Sequence, residues 1–216
     1  MTRTPTAVPD PHLRRPIRLP AFDYTSPGAY FVTICTHRHQ CLFGDIEDGT
    51  MRLNPFGQIV RETWDLLPRH YPHVELDSFV VMPNHVHAII VIVGAGFEPA
   101  PESAGLTRPT VRAGFKPAPA LEPPRLARAG LKPAPTSHGL SEIVRGFKTF
   151  SARRLNELRR TPGAPAWQRN YYEHIIRDET SLNHIRQYIA DNPIRWAYDR
   201  ENPAALAPEP EDAWRS

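Results

Sequence analysis

Hydrophobic positions along the chain follow two periods, and their alternation outlines the elements. Between Tyr30 and Thr36 the run YFVTICT is aromatic and β-branched, which predicts a strand. Cys41 to Leu53 follows, with Glu47-Asp48-Gly49 at its middle; these turn residues predict a small hairpin. Asn54 then stands as a helix cap with Pro55 at the first helical position, and the helix is expected to run to about Pro68, with Ile59, Trp64 and Leu67 on or near one face. Residues 74–93, VELDSFVVMPNHVHAIIVIV, hold two β-rich runs broken at Met82-Pro83-Asn84, so two antiparallel strands are expected over 75–81 and 86–93. In the second, Val86, Ala88, Ile90 and Ile92 point one way and Ile89, Val91 and Val93 the other. A strand apolar on both faces belongs at the centre of a sheet.

From 140 to 160 the period lengthens to that of a helix. Ile143, Phe147, Phe150 and Leu155 are expected inward; Arg145, Lys148, Arg153, Arg154, Arg159 and Arg160 are expected outward. The segment WQRNYYEHIIRD (167–178) contains a last strand, and Glu179 to Asn192 forms a last helix stopped by Pro193. The order β-α-β-β-α-β-α predicts an α+β fold of ferredoxin-like type: βαββαβ with an antiparallel four-stranded sheet, and an added C-terminal helix.

Three stretches fall outside this pattern. Residues 1–20 are rich in Pro and Arg and are expected to form a flexible basic arm, and 201–216 a flexible tail. The single domain, 21–200, is interrupted at 94–137 by a Pro-rich insertion holding AGFEPAP (95–101), AGFKPAP (113–119) and AGLKPAP (129–135) at uneven spacing. Such a segment is expected to be disordered. Its repeated Gly-Phe-Lys-Pro can be encoded by GGG TTT AAA CCC, which is its own reverse complement, so the insertion reads as a translated palindromic DNA repeat.

Composition narrows the class only a little. With 216 residues, 40% hydrophobic and 23% charged, the chain has material for one core. Lys and Arg outnumber Asp and Glu by 26 to 23, and the pI is about 9.0. That mild basic bias permits a nucleic-acid partner without demanding one. Two cysteines make no disulfide framework. The start has no apolar run of signal-peptide type, and the longest apolar run, Ala88 to Val93, is too short for a bilayer. A soluble, cytoplasmic protein with no membrane partner is expected.

The candidate chemistry begins at His85 and His87. At i and i+2 on a strand they share a face, where two neutral imidazoles can hold one divalent cation; two buried structural histidines fit the same spacing. Tyr188 and Asn192, four apart, share a face of the last helix. A phenol is a usable nucleophile once its proton is removed or its charge is stabilised; a tyrosine at the core edge and a helix-ending asparagine fit these positions equally. Tyr171 and Tyr172, placed in a strand, rank behind Tyr188 as nucleophiles. Cys35-x-His37-x-His39-x-Cys41 fits no standard zinc finger, and one extended strand does not easily wrap a tetrahedral ion, so zinc is not expected there. Arg145, Lys148, Arg153 and Arg154 suit DNA phosphates, as do Arg14, Arg15 and Arg18, with Phe22, Tyr24 and Tyr30 as rings for unstacked bases. A solvated helix face and a loose tail account for the same residues.

Four segments together carry a resemblance: RRPIRLPAFDYTSPGAYFVTICT, LDSFVVMPNHVHAIIVIV, GLSEIVRGFKTFSARRLNE and WQRNYYEHIIRDETSLNHIRQYIADNP. In this order they resemble the IS200-like Y1 transposases of the HUH class, and more closely the REP-associated tyrosine transposases. The resemblance runs from about Arg14 to Trp196, interrupted by 94–137. It implies that His85 and His87 are the metal ligands, Tyr188 the nucleophile, and Asn192 the third ligand, where the insertion-sequence branch carries Gln. It further implies a single-stranded DNA endonuclease/transposase that cleaves and rejoins DNA near palindromic hairpins through a 5′-phosphotyrosine intermediate. Mg²⁺ or Mn²⁺ is the implied cofactor and REP-like hairpin DNA the implied partner, with the protein acting as monomer or homodimer. The other readings are a non-catalytic hairpin-binding protein and another HUH nuclease, such as a replication initiator or relaxase.

Overall fold

The computed structural model describes residues 23–93, 138–205 and 207–210. The arm with Arg14, Arg15, Arg18 and Phe22, and the insertion 94–137, lie outside the described residues. In chain order the elements are β1 (Gly28–Cys35), β2 (Gly44–Glu47), β3 (Thr50–Leu53), α1 (Pro55–Asp65), α2 (Leu67–His70), β4 (Val74–Val81), β5 (His85–Ile92), α3 (Leu140–Leu158), β6 (Tyr172–Ile176) and α4 (Glu179–Asp191). β2 and β3 pair as the expected hairpin. The other four strands form one antiparallel sheet in the order β4-β5-β1-β6, the ferredoxin-like arrangement, with β5 central.

Local chemistry explains the boundaries. Asp48 (φ 49) and Gly49 (φ 70) supply the left-handed pair that closes a two-residue hairpin turn. Asn54 caps α1, its Oδ1 accepting from the backbone N–H groups of Phe56 (2.9 Å) and Gly57 (3.0 Å). The helix expected to continue to Pro68 instead ends at Asp65, and a separate short turn, α2, carries Pro68. Proline has no N–H to give to the carbonyl four residues back, so it sits at the start of a new turn, where none is needed.

The two faces of the sheet have separate clusters. Tyr30, Val32, Ile34, Val86, Ala88, Ile90 and Ile92 face α1 and α3, meeting Val60, Trp64, Ile143, Phe147 and Leu155. Phe31 and Ile89 face α4, meeting Ile185 and Ile189. The alternation predicted for β5 is thus observed. Two inward/outward expectations on α3 change. Phe150 is only partly buried and packs at the edge against His70, ring centroids 4.8 Å apart. Lys148, expected in solvent, turns back and donates from Nζ to the carbonyls of Gln168 (3.1 Å) and Asn170 (2.9 Å), bracing the segment that leads into β6.

The tail, expected to be loose from residue 201, is fastened where it is described. The Glu209 N–H donates to the Tyr198 carbonyl (2.8 Å), and its carboxylate pairs with Arg195 at 2.6 Å. Among the described residues no helix is long and apolar enough to cross a membrane.

Candidate active site

β5 opens with the histidine pair. In the β1–β5 register Cys35 lies opposite His85 and Thr33 opposite His87. Both imidazoles project to the α4 side, where the His87 ring stacks against Phe31 with centroids 5.5 Å apart. The two rings meet edge-on, with Nε2 of His85 3.0 Å from Nε2 of His87.

The outer nitrogens decide what the inner ones can do. Asn84 Nδ2 donates to the carbonyls of His39 (3.2 Å) and Glu201 (2.5 Å), which fixes the amide orientation and turns Oδ1 toward His85 Nδ1 at 2.8 Å. His85 therefore carries its proton on Nδ1, and its Nε2 offers a lone pair. His87 Nδ1 lies 2.8 Å from Thr33 Oγ1, a hydroxyl that can donate or accept. In the metal-free pair, Nε2–H of His87 donates to Nε2 of His85. To hold a cation, His87 would carry its proton on Nδ1 with Thr33 accepting it, so that Nε2 of both His85 and His87 would be free as ligands.

A third candidate ligand is Asp199, which sequence reasoning missed. It follows a turn of 3₁₀ helix, Trp196–Tyr198, beyond the end of α4. One of its carboxylate oxygens, Oδ1, accepts from the Glu201 N–H at 2.7 Å. The other, Oδ2, is buried without a hydrogen-bond partner and lies 3.6 Å from His85 Nε2. The ligand atoms of His85, His87 and Asp199 all lie within 4.8 Å of one another. The Asn192 Oδ1 is likewise buried and unpartnered. A buried carboxylate oxygen left without a donor beside two imidazoles is what a mixed N/O divalent-cation site requires, and the unpartnered amide oxygen of Asn192, next to Tyr188, is a further oxygen of the same kind. The residues present fit such an ion.

Tyr188 stands on α4 in the same chain, its ring centroid 5.2 Å from that of His87 and edge-on to Phe31. Burial pushes its phenol well above the ordinary range, the Asp199 carboxylate adds to this, and a hydrogen bond from Asn192 opposes it. Burial also holds the imidazoles neutral. His85 is pushed down to about 3, with His39 adding, and His87 lies well below its usual value, burial first and His85 second, with Asp199 opposing. Neutral imidazoles are ligands at any ordinary pH, whereas a protonated Tyr188 needs a nearby positive charge to become a nucleophile.

A cleft of 420 Å³ opens over these groups, lined among others by Phe31, Thr33, His87, Tyr172, Tyr188 and Asp199. A second groove of 540 Å³ runs along α3 past Arg145, Lys148 and Arg169, and shares Gln168 and Tyr171 with the first. Arg145 and Arg153 are exposed on α3, with Arg145 also pairing with Glu142; Arg154 is taken up by an ion pair with Glu62 across to α1. The structure thus brings His85, His87 and Tyr188 together, with Asn192 beside Tyr188, while the α3 cations lie on the other side of the sheet.

A protein of Haemophilus influenzae, described as an uncharacterized protein, is 40% identical to this chain over 192 residues, which is 88% of this chain and 93% of the relative. The chain belongs to that protein's family. No protein-family model matches it. Among solved structures it is similar to a REP-associated tyrosine transposase bound to a REP hairpin (18% identity, TM-score 0.47, covering 81% of this chain and 71% of that one). It is also similar to a candidate transposase from Deinococcus radiodurans (18% identity, TM-score 0.36, covering 81% and 95%). At these values the likeness adds nothing to the strand order and site geometry described above.

Proposed function

We propose that the protein is a single-stranded DNA endonuclease/transposase that breaks and rejoins DNA near palindromic hairpins, with Tyr188 as nucleophile and a divalent cation, Mg²⁺ or Mn²⁺, held by His85, His87 and Asp199, with Asn192 as a further oxygen donor. The observation that carries this reading is the convergence of Tyr188 on two buried, neutral imidazoles and an unpartnered carboxylate oxygen in one open cleft. When bound, the cation would neutralise and orient a DNA phosphate and favour the phenolate. Tyr188 Oη then attacks phosphorus: the Oη–P bond forms, the P–O3′ bond breaks, and O3′ leaves as a hydroxyl after taking up a proton. The strand is held as a 5′-phosphotyrosine, and a 3′-hydroxyl reverses the step by attacking the same phosphorus. Because one phosphodiester replaces another in kind, no nucleotide cofactor is consumed.

Tyr171 and Tyr172 beside the cleft give an unpaired strand aromatic faces to stack on. Arg145, which lines the groove that joins the cleft at Gln168 and Tyr171, and Arg153, exposed farther along α3, are the α3 cations proposed to meet phosphates. Lys148 and Arg154, also expected in that role, have internal partners and serve first to brace the fold.

The test is a denaturing-gel assay for a covalent protein–DNA adduct, using hairpin DNA with single-stranded flanks, with Mg²⁺ or Mn²⁺. A metal-dependent adduct lost in Tyr188→Phe and in His85→Ala is expected, with hairpin binding kept by Tyr188→Phe. Tight binding without any adduct would favour the non-catalytic hairpin binder, and an adduct that survives Tyr188→Phe would move the nucleophile to Tyr171 or Tyr172.

A further inference from the structure

A second cluster of metal-ligand type lies on the same cleft, separate from the histidine pair. Cys35 ends β1. The chain then turns sharply, with Arg38 (φ 56) and His39 (φ 53) both left-handed, and this turn carries His39 back toward Cys35. The extended strand expected over this stretch stops at Cys35, so the geometric objection to an ion here falls away. His37 and Cys41 take no part. The third member is Glu201, from the segment beyond α4.

The spacing of these atoms suits a tetrahedral ion. Cys35 Sγ lies 3.4 Å from Glu201 Oε2, and His39 Nδ1 lies 3.1 Å from the same oxygen. All three ligand atoms fall within 4.8 Å of one another. In a tetrahedral zinc site, with Zn–S about 2.3 Å and Zn–N and Zn–O about 2.0–2.1 Å, neighbouring ligand atoms stand about 3.3–3.5 Å apart. The Gln168 amide nitrogen lies 2.6 Å from His39 Nε2 and donates to it, which leaves the ring proton on Nδ1 toward Glu201; a half-turn of that amide presents Oε1 to accept Nε2–H, and this is the arrangement in which Nδ1 is free for an ion.

We propose that Cys35, His39 and Glu201 form a zinc-binding site that fastens the segment carrying Asp199 to the end of β1. The ion takes Sγ, Nδ1 and Oε2 and leaves a fourth position open to the cleft. Without an ion, the Cys35 thiol is kept protonated by burial and by the Glu201 carboxylate, and donates to it. Zinc binding displaces that proton, and the Cys35 thiolate bonds to the metal, with no change in oxidation state. Lys148, whose ammonium is pushed down to about 8 by burial, is the nearby cation that favours the thiolate. Glu201 also receives Arg200 on Oε1, which leaves Oε2 for the metal. The consequence reaches the nuclease site: the Glu201 carbonyl accepts from Asn84, the residue that orients His85, and the Glu201 N–H donates to Asp199. A soft or borderline ion at the thiolate therefore stiffens a site for a hard ion next to it.

The experiment is cobalt substitution in the full-length chain, read by absorbance, beside zinc stoichiometry by metal analysis. Thiolate-bound cobalt gives a sulfur-to-metal charge-transfer band in the near ultraviolet. The band is expected in the unaltered protein and in His85→Ala/His87→Ala, and is expected to vanish in Cys35→Ser and in Glu201→Gln. Cys35→Ser should also hold one zinc fewer, with its circular dichroism unchanged. Thermal melting with zinc and with chelator covers a variant that folds poorly: zinc should raise the midpoint of the His85→Ala/His87→Ala protein and should no longer do so when Glu201→Gln is added to that same background. Absence of the band in the unaltered protein, or its survival in Cys35→Ser (Cys41 being the other thiol), would overturn the proposal.

Discussion

Asp199 and Thr33 show how much of this site rests on groups with no signal of their own. Thr33 is one of several β-branched residues in β1, yet its hydroxyl sits 2.8 Å from His87 Nδ1 and can accept the proton that frees Nε2 for a cation. Thr33→Val keeps the shape and removes that acceptor, so affinity for Mn²⁺ should fall by about 10- to 100-fold. Asp199→Asn removes the charged ligand and should weaken it further. Titration of Mn²⁺ followed by electron paramagnetic resonance measures both; equal affinity in Asp199→Asn would remove Asp199 from the ligand set. The histidines also predict a pH dependence of stability. In the folded, chelator-treated protein they stay neutral far below their ordinary 6.5. The unfolded chain takes up protons there, so their contribution is complete above about pH 6.5 and is lost as pH falls toward the folded values, by up to about 1.4 kcal/mol per unit for each histidine. The unfolding midpoint should therefore drop between about pH 7 and pH 5, and His85→Asn should flatten that drop.

At the scale of elements, each boundary has a named cause, and two of them can be tested directly. The Asn54 cap satisfies two N–H groups at the start of α1, and Asn54→Ala should cost about 1 kcal/mol in urea unfolding. The insertion 94–137 leaves from the end of β5 and returns at the start of α3. Its two ends meet on one residue: the Val93 N–H donates to the His73 carbonyl (2.8 Å), and His73 Nε2 donates to the His138 carbonyl (3.0 Å). Ends already held together need no long connection, and the entropy of closing a loop changes only slowly with its length. Deleting 95–136 should leave the melting midpoint within a few degrees and the adduct yield within about two-fold; a collapse of either would mean that the insertion has a structural role.

For the whole molecule the proposed activity requires that DNA reach a cleft on one side of a sheet while the basic helix lies on the other. The groove past Arg145, Lys148 and Arg169 meets the cleft at Gln168 and Tyr171, which offers a path around the sheet edge at β6. If DNA follows this path and continues along α3, Arg145→Ala and Arg153→Ala should each weaken hairpin binding and lower the slope of log affinity against log salt by about 1. Unchanged slopes would return both arginines to the solvated face. The gene offers a further check on the insertion, because codons that break the inverted symmetry in all three repeats would sink its origin as a translated palindrome.

What the sequence determined by itself was whatever depends on neighbours along the chain. A run apolar on both faces marked β5 as central, Asn54-Pro55 and Asp48-Gly49 marked a cap and a turn, and His85 and His87 had to share a face because strand geometry leaves no other choice. Tyr188 and Asn192 were tied in the same way by helical spacing, and their meaning came from resemblance to a known family. The tertiary structure decided the rest. Only folding shows that α4 lies on the face bearing the histidines, that Lys148 turns inward to three carbonyls, and that the tail returns to place Asp199 and Glu201 beside β1. Those partners lie up to about 166 positions apart. No periodicity connects them; they meet because the sheet aligns β1 with β5 and the turn after α4 brings the chain back over the same edge.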